Sequence, residues 1–279
     1  MTPPLWRQFD IEFPDYSRAE PAAVTHLAPL LTTTEADGLI DGWWFIRKRP
    51  CWRMRYLPTD NPPTIQEHLR AALGRLQQAQ HITRATEVIY EPETRAFGGP
   101  EAMAVAHQLW HRDSRNLLAH LAATTDEPAR HRRELPLLLY STMLRAAGLD
   151  WYEQGDVWAR VARSRPPAAV GDRPNLTATM RRLLTVDTDD LTRSSRATAG
   201  LADWTAAYAD AGRNLARLNA GGFLERGLRH VLAHHIVFAF NRIGLPAATQ
   251  AVLAATASEV FFDDPPQPQH PRSASAGLS

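Results

Sequence analysis

The sequence predicts an α+β protein: a ferredoxin-like antiparallel sheet half followed by a mostly helical half. Three observations predict it. Four stretches of the first 99 residues read as strands, the first by period-two alternation of bulky residues and the second by its aromatic and β-branched content. Two helical stretches interleave with those strands in βαββαβ order. After Gly98-Gly99-Pro100 only helical periodicity remains. The expected organisation is a ferredoxin-like half over 1–99, a helical half packed on it over 100–262, and a disordered Pro-, Gln- and Ser-rich tail over 263–279.

The first strand spans 6–13, with Trp6, Phe9, Ile11 and Phe13 as its bulky positions. Pro14-Asp15-Tyr16 breaks it, and Ser17 can cap a helix running to about Leu31. The aromatic and β-branched stretch 38–47 is the second strand, and Lys48-Arg49-Pro50 turns the chain. The third strand, 52–57, carries Arg53 and Arg55 on one face, because strand side chains alternate. Ile65, Leu69, Ala72 and Leu73 line one side of a helix over 64–78, and the fourth strand follows at 82–90. Helices are expected at 101–122, 134–147, 149–163, 175–184, 198–218, 223–243 and 247–260. Pro100 suits a first helical turn, and Gly148, Gly221 and Gly244 suit helix ends.

Composition is that of a globular protein, with 44% hydrophobic and 22% charged residues. The net charge of +1, with acids interleaved among the arginines, argues against direct nucleic-acid binding. The single cysteine, Cys51, cannot form an internal disulfide. No signal peptide and no membrane-spanning stretch is read, so a soluble, cytoplasmic protein without a membrane partner is expected.

The turn from Tyr90 to Pro100 is the most distinctive local sequence. It places Glu91, Glu93 and Arg95 between a strand and a helix, ahead of a glycine pair that allows close backbone approach. A plain charged connection remains the alternative. Arg53 and Arg55 together could hold an acidic substrate group, since guanidinium binds carboxylates bidentately; a solvated strand face is the alternative. Asp113-Ser114 could bind substrate or make a local helix hydrogen bond. On the helix 223–243, His230, His234 and Asn241 share one face, followed by Arg242, while His235 lies nearer the apolar line of Val231, Leu232 and Phe238. A core histidine is the alternative there. The His-x-x-x-His spacing lacks the intervening Glu of a zincin and any cysteine set, so no metal is expected.

Five elements in order resemble the thiopeptide-type bacteriocin biosynthesis family, relatives of the C-terminal elimination domain of lantibiotic dehydratases. They are Gly42-Trp43-Trp44-Phe45-Ile46-Arg47, Trp52-Arg53-Met54-Arg55, Tyr90-Glu91-Pro92-Glu93 with Phe97-Gly98-Gly99, Asp113-Ser114, and Asn241-Arg242-Ile243-Gly244. The resemblance covers 6–260. It implies a lyase that acts on ribosomally made precursor peptides and eliminates glutamate from glutamylated Ser or Thr. It also implies partnership with a separate glutamylating dehydratase, and no cofactor. Pyridine-forming cycloaddition between dehydroalanines, or non-catalytic precursor binding by strand addition at a sheet edge, are the alternatives.

Within the resemblance, Arg53, Arg55 and His234 are the expected catalytic residues. Glu91, Glu93, Arg95, Asp113, Ser114, Asn241 and Arg242 are the expected substrate-binding ones. Three positions depart from the family pattern. Trp52 stands near an expected strand histidine, Ala96 replaces an arginine beside which Arg95 remains, and the helical histidine is displaced to His234 or His235.

Overall fold

The computed structural model describes residues 6–59, 62–123, 132–166, 173–186 and 199–263. Of the tail expected over 263–279, Asp263 ends the last helix and the remainder lies outside the described residues.

Strands β1 (Arg7–Glu12), β2 (Ile40–Lys48), β3 (Cys51–Pro58) and β4 (Arg84–Val88) form one antiparallel sheet in the order β2-β3-β1-β4. Helices α1 (Ala19–Ala22) and α2 (Ala28–Ala36) follow β1, joined by a π-helical turn over Ala23–Leu27. Helix α3 (Pro62–Gln78) links β3 to β4. This is the ferredoxin-like connectivity.

Register decides which side chain meets which layer. Phe9, Ile11, Trp43, Phe45, Trp52, Met54 and Tyr56 share one face and pack with Leu27 and Leu31 and with Ile65 and Leu69 of α3. The opposite face carries Gln8, Asp10, Trp44, Ile46, Arg53 and Arg55. Its apolar part, Trp44 and Ile46, joins a second cluster with Phe97, Met103, Ala106 and Trp110.

The helical half consists of α4 (Pro100–Ala123), α5 (Glu134–Ala146), α6 (Trp151–Arg163), α7 (Arg173–Thr185), α8 (Ala199–Ala220), α9 (Leu228–Ile243) and α10 (Ala247–Asp263). Asp150 opens α6 with a reciprocal capping box to Glu153. Helix α9 begins five residues later than its apolar periodicity suggests. Gly222, at φ +73°, turns the chain after α8, and Gly227 is the N-cap of α9.

Helices α4 and α9 cover the edge of β2. His111 Nδ1 lies 3.1 Å from the Trp43 amide nitrogen and 2.9 Å from the Trp43 carbonyl. The Phe45 amide donates to Ser114 Oγ (3.3 Å), and the Phe45 carbonyl accepts from Arg242 Nε (2.9 Å). An outer sheet edge that would otherwise need water or another strand is satisfied by side chains. Among the described residues no helix is long and apolar enough to cross a membrane.

Candidate active site

A cavity of about 310 Å³ opens between the Arg-bearing sheet face and the helical half. Arg53 and Arg55 line it from β3, Trp44 and Lys48 from β2, and Tyr90, Glu91 and Glu93 from the turn after β4. Trp110 of α4 and Phe238 and Asn241 of α9 complete it. Strand alternation aims the two arginines inward from a rigid central strand.

Arg55 is the most constrained group. Its side chain is 6% exposed, and its guanidinium carbon lies 4.2 Å from the Trp44 ring centroid and 4.9 Å from that of Tyr90. Its Nε donates to Gln8 Oε1 (2.7 Å), while Gln8 Nε2 donates to Asp10 Oδ1 (2.7 Å). Among the described residues no carboxylate touches it, and its buried Nη1 has no partner. Burial pulls its pKa down to about 10, still well above neutrality, so the group is a desolvated cation. A buried charge with an unused donor is costly unless something anionic completes it.

The turn is fixed by backbone geometry. Gly98 and Gly99 have φ of +95° and +108°. A Cβ on Gly98 would lie 2.9 Å from Val231 Cγ2. The Glu225 amide donates to the Gly98 carbonyl (2.9 Å), which ties the turn to the α8–α9 connection. Glu93 Oε2 then meets His234 Nε2 at 3.1 Å. That hydrogen bond holds the Glu93 carboxyl below the usual range against partial burial. The His234 ring packs on Phe97 (4.7 Å) and Phe238 (5.1 Å) and lines a neighbouring groove, so it stands behind Glu93 rather than on the cavity wall.

Several expected residues lie elsewhere. Arg95 is exposed and does not line the cavity; its one-residue displacement in the turn aims it outward. Asp113, Ser114 and Arg242 are 3%, 0% and 1% exposed and form a buried network instead of a cavity wall. Asp113 Oδ1 accepts from Trp204 Nε1 (2.7 Å) and Tyr208 Oη (2.9 Å), and Asp113 Oδ2 pairs with Arg242 Nη1. With Ser114 and Arg242 also bonded to β2, this network joins the halves. His235 is fully buried, and both its ring nitrogens lack partners. His230 is exposed and bonded to Arg160. Trp52 faces the opposite side of the sheet, stacked on Phe45 at 4.7 Å. Cys51, not Trp52, is the strand neighbour that shares the face of Arg53 and Arg55.

Gln8, Tyr90 and His107, at or behind the cavity, were given no individual role by the sequence reading. Gln8 orients Arg55; its alternation with Asp10 on the strand face opposite Phe9 was the available signal. Tyr90 Oη lies 2.9 Å from His107 Nε2, and His107 is 7% exposed. Burial, then the nearby Arg55 charge, lowers the His107 pKa to about 4, so its imidazole is neutral. Its position three residues before Trp110 put it on the same helix face. Among the described residues no group of three or more His, Cys, Asp or Glu is placed to hold a metal ion.

Comparison with known proteins agrees with this architecture. The structure is similar to that of the tRNA dependent lantibiotic dehydratase MibB from Microbispora sp. 107891, with a TM-score of 0.71 and 15% identity. The match covers 94% of this chain but only 28% of MibB. TsrL matches at TM-score 0.62 and 15% identity, over 92% of this chain and 94% of TsrL. The pyridine synthase TbtD, from thiomuracin biosynthesis, matches at 0.52 and 14%, over 93% of this chain and 98% of TbtD. At such identities the likeness is one of fold. No curated protein sequence matches the chain. The family model for the lantibiotic biosynthesis dehydratase C-terminal region matches residues 6–261, nearly the whole length, and the chain belongs to that family.

Proposed function

We propose that the protein acts on a ribosomally made precursor peptide and eliminates glutamate from glutamylated Ser or Thr. The observation that carries this reading is Arg55: a buried guanidinium with an unused donor, beside Arg53, on the wall of a peptide-accessible cavity. A departing glutamate carries carboxylates, and two guanidinium groups suit them.

In the reaction a base takes the α-proton of the esterified residue, the Cβ–O bond breaks, and glutamate leaves as a carboxylate. The Glu93–His234 pair supplies the base. Glu93 presents its carboxylate to the cavity and His234 positions it. The accepted proton passes to solvent after glutamate departs. Arg53 and Arg55 stabilise the negative charge that develops on the leaving group. Asn241, whose Oδ1 is held by Gln250 Nε2 (3.0 Å), offers its amide nitrogen to the peptide backbone.

The test is to incubate the protein with a glutamylated precursor peptide and follow its mass. Loss of one glutamic acid per modified site is expected. An unchanged peptide in the presence of folded protein rejects the reading. Cycloaddition of two dehydroalanines is the second reading, favoured by the aromatic walls Trp44, Tyr90, Trp110 and Phe238 and by similarity to a pyridine synthase of comparable length. It would consume a dehydrated peptide and release no glutamate.

A further inference from the structure

Beyond the cavity, a second groove of about 370 Å³ runs between the C-terminal turn of α6 and helix α9. Arg160, Arg163, Arg226, His230 and His234 line it, and no acidic residue does among the described residues. Ala233 and Val237 supply apolar lining. Local contacts hold the cations in place. Arg160 is bonded to Asp156 (Nε to Oδ2, 3.0 Å) and to His230 Nε2 (2.6 Å), and Arg226 donates to the Ala96 carbonyl (2.9 Å). Arg163 is exposed at the end of α6. His230 titrates below its ordinary range through slight desolvation, then through the charges of Arg160 and Arg226, with Asp156 opposing.

His234 stands between the two sites. Its ring lines the groove, and its Nε2 is 3.1 Å from the Glu93 carboxylate that lines the cavity. The groove therefore abuts the cavity across the Glu93–His234 pair.

We infer that this groove binds an acidic segment of the peptide whose modified residue enters the cavity. The fit is one of charge and shape. Arg163 and Arg226 offer guanidinium groups to Asp or Glu carboxylates, Arg160, itself paired with Asp156, adds to the basic wall, and Ala233 and Val237 accommodate the methylenes beneath them. The groove has no Phe, Tyr or Trp among its described lining residues, so it lacks the stacking platform on which single-stranded nucleic acid relies. The assignment rests on the reading that the cavity works on a peptide, but its test measures binding and not turnover.

The probe is a short fluorescein-labelled peptide of alternating Glu and Gly, compared by anisotropy with its Gln and Gly counterpart. The Glu peptide should bind about tenfold more tightly and weaken as salt rises past ~0.1 M, where the screening length is about 10 Å. The Arg160→Gln/Arg163→Glu variant should lose about tenfold of that affinity, in line with paired-charge contacts. Arg163→Glu alone, at an exposed position, should lose a measurable part and guards against a folding artefact. Arg213→Gln, exposed on α8 and lining neither the cavity nor the groove, should bind the probe like the parent protein.

Equal binding of the Gln peptide overturns the assignment, as does unchanged affinity in both groove variants. So does loss of binding confined to Arg53→Gln, which would put the acidic segment in the cavity. A transfer RNA transcript that binds more tightly than the peptide and is lost in the same groove variants would replace the peptide with nucleic acid. Failure of glutamate release with intact, groove-dependent peptide binding would reject elimination while leaving this inference standing.

Discussion

Replacing Asp113 with Asn tests whether the buried network holds the two halves together. The substitution keeps volume and an oxygen that can accept from Trp204 and Tyr208, but removes the charge opposite Arg242. Both side chains of the pair are nearly inaccessible, at 1% and 5% exposure. Little water can compensate the stranded guanidinium, and one partner's loss from such a pair costs about 3–5 kcal/mol. For a domain of this size each kcal/mol moves Tm by roughly 2–4 °C, so the fall should be about 6–20 °C. Urea unfolding and calorimetry at pH 7 measure it. A double-mutant cycle with Arg242→Met should give a coupling above about 1 kcal/mol, because the groups touch. If Asp113→Asn unfolds within ~1 kcal/mol of the parent, the pair is not the clamp described above and the argument fails.

Four further outcomes are expected. Arg55→Met should abolish glutamate release yet leave stability within about 1 kcal/mol, since losing the stacking on Trp44 and Tyr90 is offset by removing a desolvated charge; a large loss of stability would show that Arg55 is structural. Stability should fall as pH drops below 6.5. The unfolded chain protonates His107 and His235 near there, whereas the folded chain holds them neutral down to about 4 and about 3, so the unfolded state binds more protons in between. The slope should be about 1.4 kcal/mol per pH unit for each imidazole, and replacing both should flatten it. His235→Leu should be neutral or stabilising at pH 7 because it removes two unpartnered buried nitrogens, whereas His234→Ala should fold normally and slow turnover; wild-type turnover in folded His234→Ala would remove that residue from the mechanism. Gly98→Ala should destabilise by about 1–3 kcal/mol through positive φ and the clash with Val231, and should also reduce turnover by shifting Glu93.

The parts of the site carried by a strand were legible, and those carried by helices much less so. Period two forces Arg53 and Arg55 onto one face whatever surrounds them, and the glycine pair announces a special turn before Glu93 can be placed. The helix pattern around Trp110 shows which side is inward, but inward can mean a cavity or a core. His107, Asp113 and Ser114 all lie on that side; only packing against β2, Tyr90 and α8 separates the member that backs a cavity residue from the two that build the clamp. The burial of Arg242 was hidden for the same reason, since a sequence offers no sign that a charge is neutralised by a partner 129 positions away. The histidine choice turned on one residue of helical phase. His235 took the apolar line and His234 the turn-facing side, which a regular α9 preserves.

The stapled edge of β2 has a topological consequence. A four-stranded open sheet has two flanks, and here one is already consumed by His111, Ser114 and Arg242, which occupy the backbone sites that an incoming strand would use. Strand addition of a peptide is thereby confined to the β4 flank, whose chain runs on through Ile89, 88% exposed, to Tyr90 and the cavity rim. The same occupancy makes the ferredoxin-like half dependent on its neighbour: severed after Gly99, it would present the bare backbone of Trp43 and Phe45 to any chain able to pair with it. We expect such a fragment to self-associate, and the helical half to act as its built-in guard against doing so.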